Sequence, residues 1–254
     1  MPLELDLRQK QKIRRRRFAS DPLAPIRSDV ASLVSALGGN TAVSAIYDIR
    51  LGVTAPSGKI VQWDDARGST GFGPSLLPFS TSPGPAYDSV ALTATFSSAG
   101  GSLTSASTFA AFDPSLNSIA YIGTVSGSGW MCGIGSATQN LNILANASAD
   151  FQAGVNGTVR TVDSGVTNST RRVAFASLVA GAGTVEVPNH IAVSAGAGAP
   201  TTVSGNVTFG GATGTTIGAT GVARCLLVFA GEYSTAQRDT LKAWAVSSHG
   251  AVLA

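Results

Sequence analysis

Between Ile46 and Phe229 the chain never sustains a helical period. Short β-branched and apolar runs alternate there with Gly, Ser, Asn and Pro, which prescribes many short antiparallel strands joined by turns, as in a sandwich or barrel. Strands are expected at Ile60–Trp63, Val90–Phe96, Ile119–Gly123, Val173–Val179, His190–Val193 and Cys225–Phe229. Asn156-Gly157 sits between alternating residues and predicts a two-residue hairpin, because both turn positions need positive φ. The stretch from Pro74 to Pro85 carries four prolines and reads as an irregular surface loop.

Helical patterns flank this region. Val30, Leu33, Val34 and Leu37 form a stripe with Ser28 as N-cap and Gly38 just past the end. The stripe needs a partner, either the sandwich or a neighbouring subunit. Near the other end Ser234 and Gln237 make a capping box, Leu241, Trp244 and Ala245 share a face, and Gly250 stops the helix. The chain therefore divides into a basic arm (1–27), a short helix and linker (28–40), and a body (41–254) whose closing helix (234–249) packs back through Trp244.

Charge follows the same division. The first 27 residues hold eight of the 17 Lys and Arg against three acids and net about +5, whereas the body nets about −2. Only 12% of the chain is charged, so its surface relies on hydroxyls and backbone, which suits extracellular or virion life. No apolar run approaches the ~18 residues of a membrane span. Arg15-Arg16-Arg17-Phe18 with Val43-Ser44-Ala45 would fit a twin-arginine export signal, but Asp21, Pro22, Pro25, Arg27 and Asp29 interrupt its apolar core.

The arm reads instead as a docking peptide. Leu3, Leu5 and Leu7 have strand period and can add an edge strand to a partner, with Phe18 as a further apolar anchor. Arg8, Lys10, Lys12, Arg14, Arg15, Arg16 and Arg17 suit the acidic grooves of a capsid or tail protein. They could also neutralise phosphates. Phe18 is the one aromatic residue among them, so base stacking is not indicated and nucleic acid is disfavoured.

Catalytic chemistry finds little support in the residues. A retaining glucanase on a sandwich presents two carboxylates from alternate positions of one strand, and the body's two glutamates, Glu186 and Glu232, lack an acid at i±2. Asp64 and Asp65 are adjacent and read as turn residues. His190 reads as a strand-start residue and His249 as a cationic cap of the last helical turn. No Gly-x-Ser-x-Gly elbow accompanies them. Asp88, Asp113, Asp150 and Asp163 stand beside turn residues, so no metal or cofactor is expected. Cys132 and Cys225 lack zinc spacing and read as two buried free thiols, with a single cross-strand disulfide as the alternative. For a glycan the aromatic candidates are Trp63, Trp130, Tyr87, Tyr121 and Tyr233, of which Tyr87, Tyr121 and Trp130 are retained, although Trp130 like Trp63 also reads as a core residue.

The order of landmarks resembles a family. Val61-Gln62-Trp63-Asp64-Asp65-Ala66-Arg67-Gly68, then Val155-Asn156-Gly157, Thr208-Phe209-Gly210-Gly211, and Leu227-Val228-Phe229 leading into Tyr233-Ser234-Thr235-Ala236-Gln237-Arg238, are similar to laminin-G-like, concanavalin A-like jelly rolls of bacterial and phage surface proteins. Arg67 stands where that family usually has Ser. The resemblance implies an all-β, two-sheet antiparallel jelly-roll sandwich, a fold that serves glycan binding, assembly and glycoside cleavage alike. The combined reading is a non-enzymatic, homo-oligomeric virion protein: a capsid decoration, head spike or tail fibre subunit held by its arm and displaying a lectin-like body to cell-surface glycan. The alternatives are a secreted carbohydrate-binding module and a glycoside hydrolase.

Overall fold

The computed structural model describes residues 21–68, 73–79, 83–97, 101–109, 112–136, 140–145, 151–155, 158–160, 170–177, 179, 183–187, 190–194, 203–210 and 220–253. The anchoring residues Leu3 to Phe18 lie outside them, as do Asn156 and Gly157.

Two antiparallel sheets face each other, as the strand-and-turn pattern predicts. The first contains β1 (Val43–Asp48), β5 (Ala86–Asp88), β6 (Thr93–Phe96), β8 (Asn117–Val125), β13 (Arg172–Ser177), β14 (Gly183–Val187), β15 (His190–Ser194) and β17 (Gly221–Ala230). Its order is β15-β14-β13-β8-β17-β6-β5. β17 pairs with β6 at Gly221–Ala223 and with β1 at Cys225–Phe229. The second contains β2 (Val53–Thr54), β3 (Gln62–Trp63), β4 (Leu76–Pro78), β7 (Leu103–Ser105), β9 (Gly129–Gly135), β10 (Asn140–Ala145), β11 (Phe151–Val155), β12 (Thr158–Arg160) and β16 (Asn206–Phe209), in the order β12-β11-β10-β9-β16-β7-β4-β3-β2. β11 and β12 pair antiparallel, with Val155 opposite Thr158.

The sandwich has a third layer. Helices α1 (Ala24–Ala36) and α2 (Thr235–His249) lie on the outer face of the first sheet. Along β8, Ile119 and Tyr121 enter the core between the sheets while Ala120 and Ile122 enter the core under the helices. A sheet covered on both faces needs apolar residues at consecutive positions, which explains unbroken runs such as Cys225 to Phe229. The two cysteines, both free, divide between these cores: Cys132 lies between the sheets and Cys225 under the helices.

Both helices depart from their sequence patterns in instructive ways. α1 begins four residues before Ser28, with Pro25 in its first turn, where a missing N–H costs nothing. Asp21 Oδ1 accepts from the Leu23 N–H at 3.0 Å, beside that first turn. The helix thus takes residues 24–27 out of the arm. Its stripe packs on the chain's own sheet rather than on a neighbour. α2 has the expected Ser234–Gln237 capping box and a left-handed Gly250, and Trp244 is buried against the sheet. The capping cation at its C-terminus, however, is Arg171, which donates to the His249 and Gly250 carbonyls. His249 itself is buried.

The proline-rich stretch is also more ordered than its composition suggests. β4 runs through it, Leu76 is fully buried, and Pro78 is the last residue of the strand, after which the Phe79 N–H donates to the Ser102 carbonyl at 3.0 Å.

Candidate functional site

The chemistry-bearing residues fall into three groups. The first is an ionic cluster beneath α2. Asp48, at 0% exposure, pairs with Arg50 at 2.6 Å, and Arg50 reaches Asp29 at 2.8 Å. His249 Nε2 stands 3.5 Å from Asp48 Oδ2, its ring edge-on to Trp244, and Arg50 covers that indole at 5.3 Å. Burial pushes the Asp48 carboxyl up, but the contacts and charges of His249 and Arg50 outweigh it and hold the pKa at about 2. Burial pushes the His249 imidazole down, against the pull of Asp48. The nearby Ser248 hydroxyl is spent on Asp29 at 2.8 Å. This ionised, closed cluster fastens α2 to β1 and offers a substrate no access.

The second group surrounds Asp65. Its carboxylate accepts from Arg67 Nη2 at 2.7 Å, Arg67 Nε at 3.0 Å and the Gly73 N–H at 2.9 Å. Arg67 also donates to the carbonyls of Val43 and Ser44. At the position where the resemblance expects Ser, Arg67 ties the turn to β1. Asp64 takes Gln62 and Ser75, so both aspartates act in the turn as expected. Beside them a cavity of about 450 Å³ opens between α1 and the Ala66–Gly68 turn, lined by Val30, Val34, Ser35, Asn40, Arg27 and Arg67 among others. Arg27 pairs with Asp21 at 3.3 Å, so neither cation there is free for a ligand.

The third group occupies the outer face of the second sheet, and sequence reading missed it. Along β10, Leu141, Ile143 and Ala145 enter the inter-sheet core, so Asn140, Asn142 and Leu144 face outward. Asn142 lies opposite Gly133, Gly133 opposite Thr208, and Thr208 opposite Thr104, a row across β10, β9, β16 and β7. In a neighbouring row Gln152, Leu144 and Trp130 align across β11, β10 and β9. An outward face usually meets water, yet Asn140 and Gln152 are each 4% exposed and Asn142 is 0% exposed.

Asn142 Nδ2 donates to Asn140 Oδ1 at 2.7 Å, while Asn142 Oδ1 is buried without a partner. A Cβ on Gly133 would stand 1.8 Å from that oxygen, so the glycine lets the carboxamide lie against the sheet. The alternation Asn140-Leu141-Asn142-Ile143 was the available signal.

The three aromatic candidates do not form one platform. Trp130 is half-buried and lies in the outward row beside Leu144. Tyr87 is half-buried on β5 of the other sheet. Tyr121 is corrected outright: its ring is fully buried among Phe151 and Phe209, and its hydroxyl donates to the carbonyls of Thr124 and Val222. Glu186 is occupied as well, by Lys242 and Arg238 of α2. Among the described residues no three His, Cys, Asp or Glu cluster as metal ligands, and no helix is long and apolar enough to cross a membrane.

No family model and no curated protein matches the chain. Its fold does match solved structures. A GH54 α-L-arabinofuranosidase soaked with a cyclic sulfate inhibitor superposes with a TM-score of 0.61 at 9% identity, over 85% of this chain and 64% of that one. The same type of enzyme soaked with 4-nitrophenyl α-L-arabinofuranoside gives 0.57 at 10%, over 74% and 51%. Trypanosoma rangeli sialidase in complex with sialic acid gives 0.53 at 10%, over 82% and 33%. The chain thus spans from a third to just under two thirds of the proteins it resembles.

The expectation of a non-enzymatic body is corrected by this comparison, in which the similar solved structures named above are glycoside hydrolases. The argument against catalysis rested on two carboxylates of one strand, whereas loops of a two-sheet scaffold can supply such a pair from separate places. At 9–10% identity, what this chain shares with those enzymes is the two-sheet sandwich itself.

Proposed function

We propose that the protein recognises carbohydrate on the outer face of its second sheet. One observation carries the reading: a face that should be solvated holds a buried row of amide and hydroxyl side chains, in which Asn142 Oδ1 lacks a partner. A buried acceptor without a donor is costly, and a hydroxyl-rich ligand would satisfy it. Amides and a hydroxyl with an aromatic neighbour, here Asn140, Asn142, Gln152, Thr208 and Trp130, are suited to sugar hydroxyls and to the apolar face of a sugar ring. The ligands named for the similar structures, an arabinofuranoside and sialic acid, are both saccharides.

Affinity electrophoresis through gels containing arabinoxylan, and separately sialylated glycan, tests the reading. The unaltered chain should be retarded in at least one, and Trp130→Ala and Asn142→Leu should each weaken retention about tenfold, the order expected for one stacking or hydrogen-bonding contact. Asn142→Leu removes an unsatisfied acceptor but also the donor to Asn140 Oδ1, so its sugar-free unfolding temperature is read alongside retention to separate lost folding from lost binding. Retention that neither substitution alters would overturn the assignment. Release of 4-nitrophenol from its arabinofuranoside by the same preparations would extend recognition to cleavage.

The basic arm is proposed, on its sequence alone, to hold this sandwich to a larger assembly, in our reading a virion, through capsid or tail proteins. Because α1 begins at Ala24, a chain lacking residues 1–20 keeps Asp21 and the helix. Such a chain should fold normally and drop out of particles. Undiminished incorporation would end the tether proposal.

A further inference from the structure

Where β1 and β6 abut along β17, a group of cations stands that saccharide recognition leaves unused. β17 pairs with β6 up to Ala223 and with β1 from Cys225, and its register against β8 slips between the same two residues. Arg224 is the extra residue at this bulge, and bulges re-aim the side chain they carry. Its carbonyl accepts from the Ile49 N–H at 2.9 Å, while its side-chain Nε is buried without a partner.

Two further guanidiniums act on it, Arg171 and Arg50. Among the described residues the Arg171 side chain donates to the carbonyls at the end of α2, and Arg50 takes both nearby carboxylates, Asp48 and Asp29. Burial keeps His249 from adding charge. Among the described residues these three cations thus share two acids, and both acids bond Arg50 directly. Burial first, then the fields of Arg171 and Arg50, push the Arg224 pKa down against the smaller opposing pull of Asp48.

We propose that Arg224 and Arg171 form a binding site for a small oxyanion, a phosphate or carboxylate group, at the bulge of β17. Guanidinium forks match such groups in geometry as well as charge, and partial burial strengthens the contact.

Thermal unfolding and phosphorus NMR of the full chain, titrated with inorganic phosphate against sodium chloride at equal ionic strength, provide the test. A second arm titrates glucuronate against glucose, separating free phosphate from a sugar-borne carboxylate. Phosphate, glucuronate or both should raise the unfolding temperature saturably, by binding the folded chain alone. Arg224→Gln should weaken that response at least tenfold. Arg224→Glu places a carboxylate beside Arg171 and should raise the unfolding temperature unaided while abolishing the response. The proposal is overturned if phosphate acts like chloride and glucuronate like glucose, or if Arg224→Gln titrates like the unaltered chain.

Discussion

An Asp48→Ala chain should lose about 3–5 kcal/mol of folding stability, because removing one member of a buried ion group strands the charge of the other. Arg50 would keep only the partly exposed Asp29, and His249 would lose its sole anion. The acid limb of the unaltered chain should show the same cluster. Asp48 titrates at about 2 when folded against an ordinary 3.8, so its contribution is complete above about pH 4 and is lost as the pH falls towards 2. That contribution is on the order of 2 kcal/mol. His249 acts with the same sign: its pKa is lowered from 6.5 by burial, so below about that pH the unfolded imidazole takes up a proton that the folded one refuses. Urea midpoints measured from pH 7 to pH 2 should therefore decline throughout. In Asp48→Ala the part of that decline near pH 4 and below should flatten. An unaltered acid limb would mean that the cluster does not hold α2 down.

Trp63→Ala should be comparably severe, at about 3–5 kcal/mol. The indole is fully buried, stacked on Phe209 at 5.0 Å and edge-on to Tyr47 at 6.4 Å, and its Nε1 donates to the Asp48 carbonyl at 3.3 Å. It joins the short strands β2 to β4 to the centre of the core. Trp63→Phe keeps a ring and should cost roughly half as much. Chemical denaturation of both variants decides the matter, and equal losses would show that the aromatic stack contributes little beyond the donor.

Much of this architecture is legible in the residues, because periodicity and turn chemistry are local. The strands around Ile119, Val173 and Cys225 and the Ser234 capping box depend on neighbours in sequence, and the structure places them as read. What escaped reading depends on distant partners. α1 starts early because Asp21 and Pro25 support an additional turn. β4 survives its prolines because Leu76 fills the core between β3 and β7. Tyr121 looked like a surface ring because nothing in its own run signals that helices cover one face of β8 and a second sheet the other. The outward row of Asn142, Gly133 and Thr208 comes from three strands separated by up to 75 residues. Only pairing brings them together.

The placement of the two thiols makes the layers separately observable. Cys132 is sealed between the sheets and Cys225 between a sheet and the helices, and burial pushes both thiols up, leaving them unreactive while the chain is closed. Whichever sulfur first meets an alkylating reagent under mild denaturation names the interface that parts first. The molecule thus carries its own pair of clocks for disassembly, one per interface, with no label added.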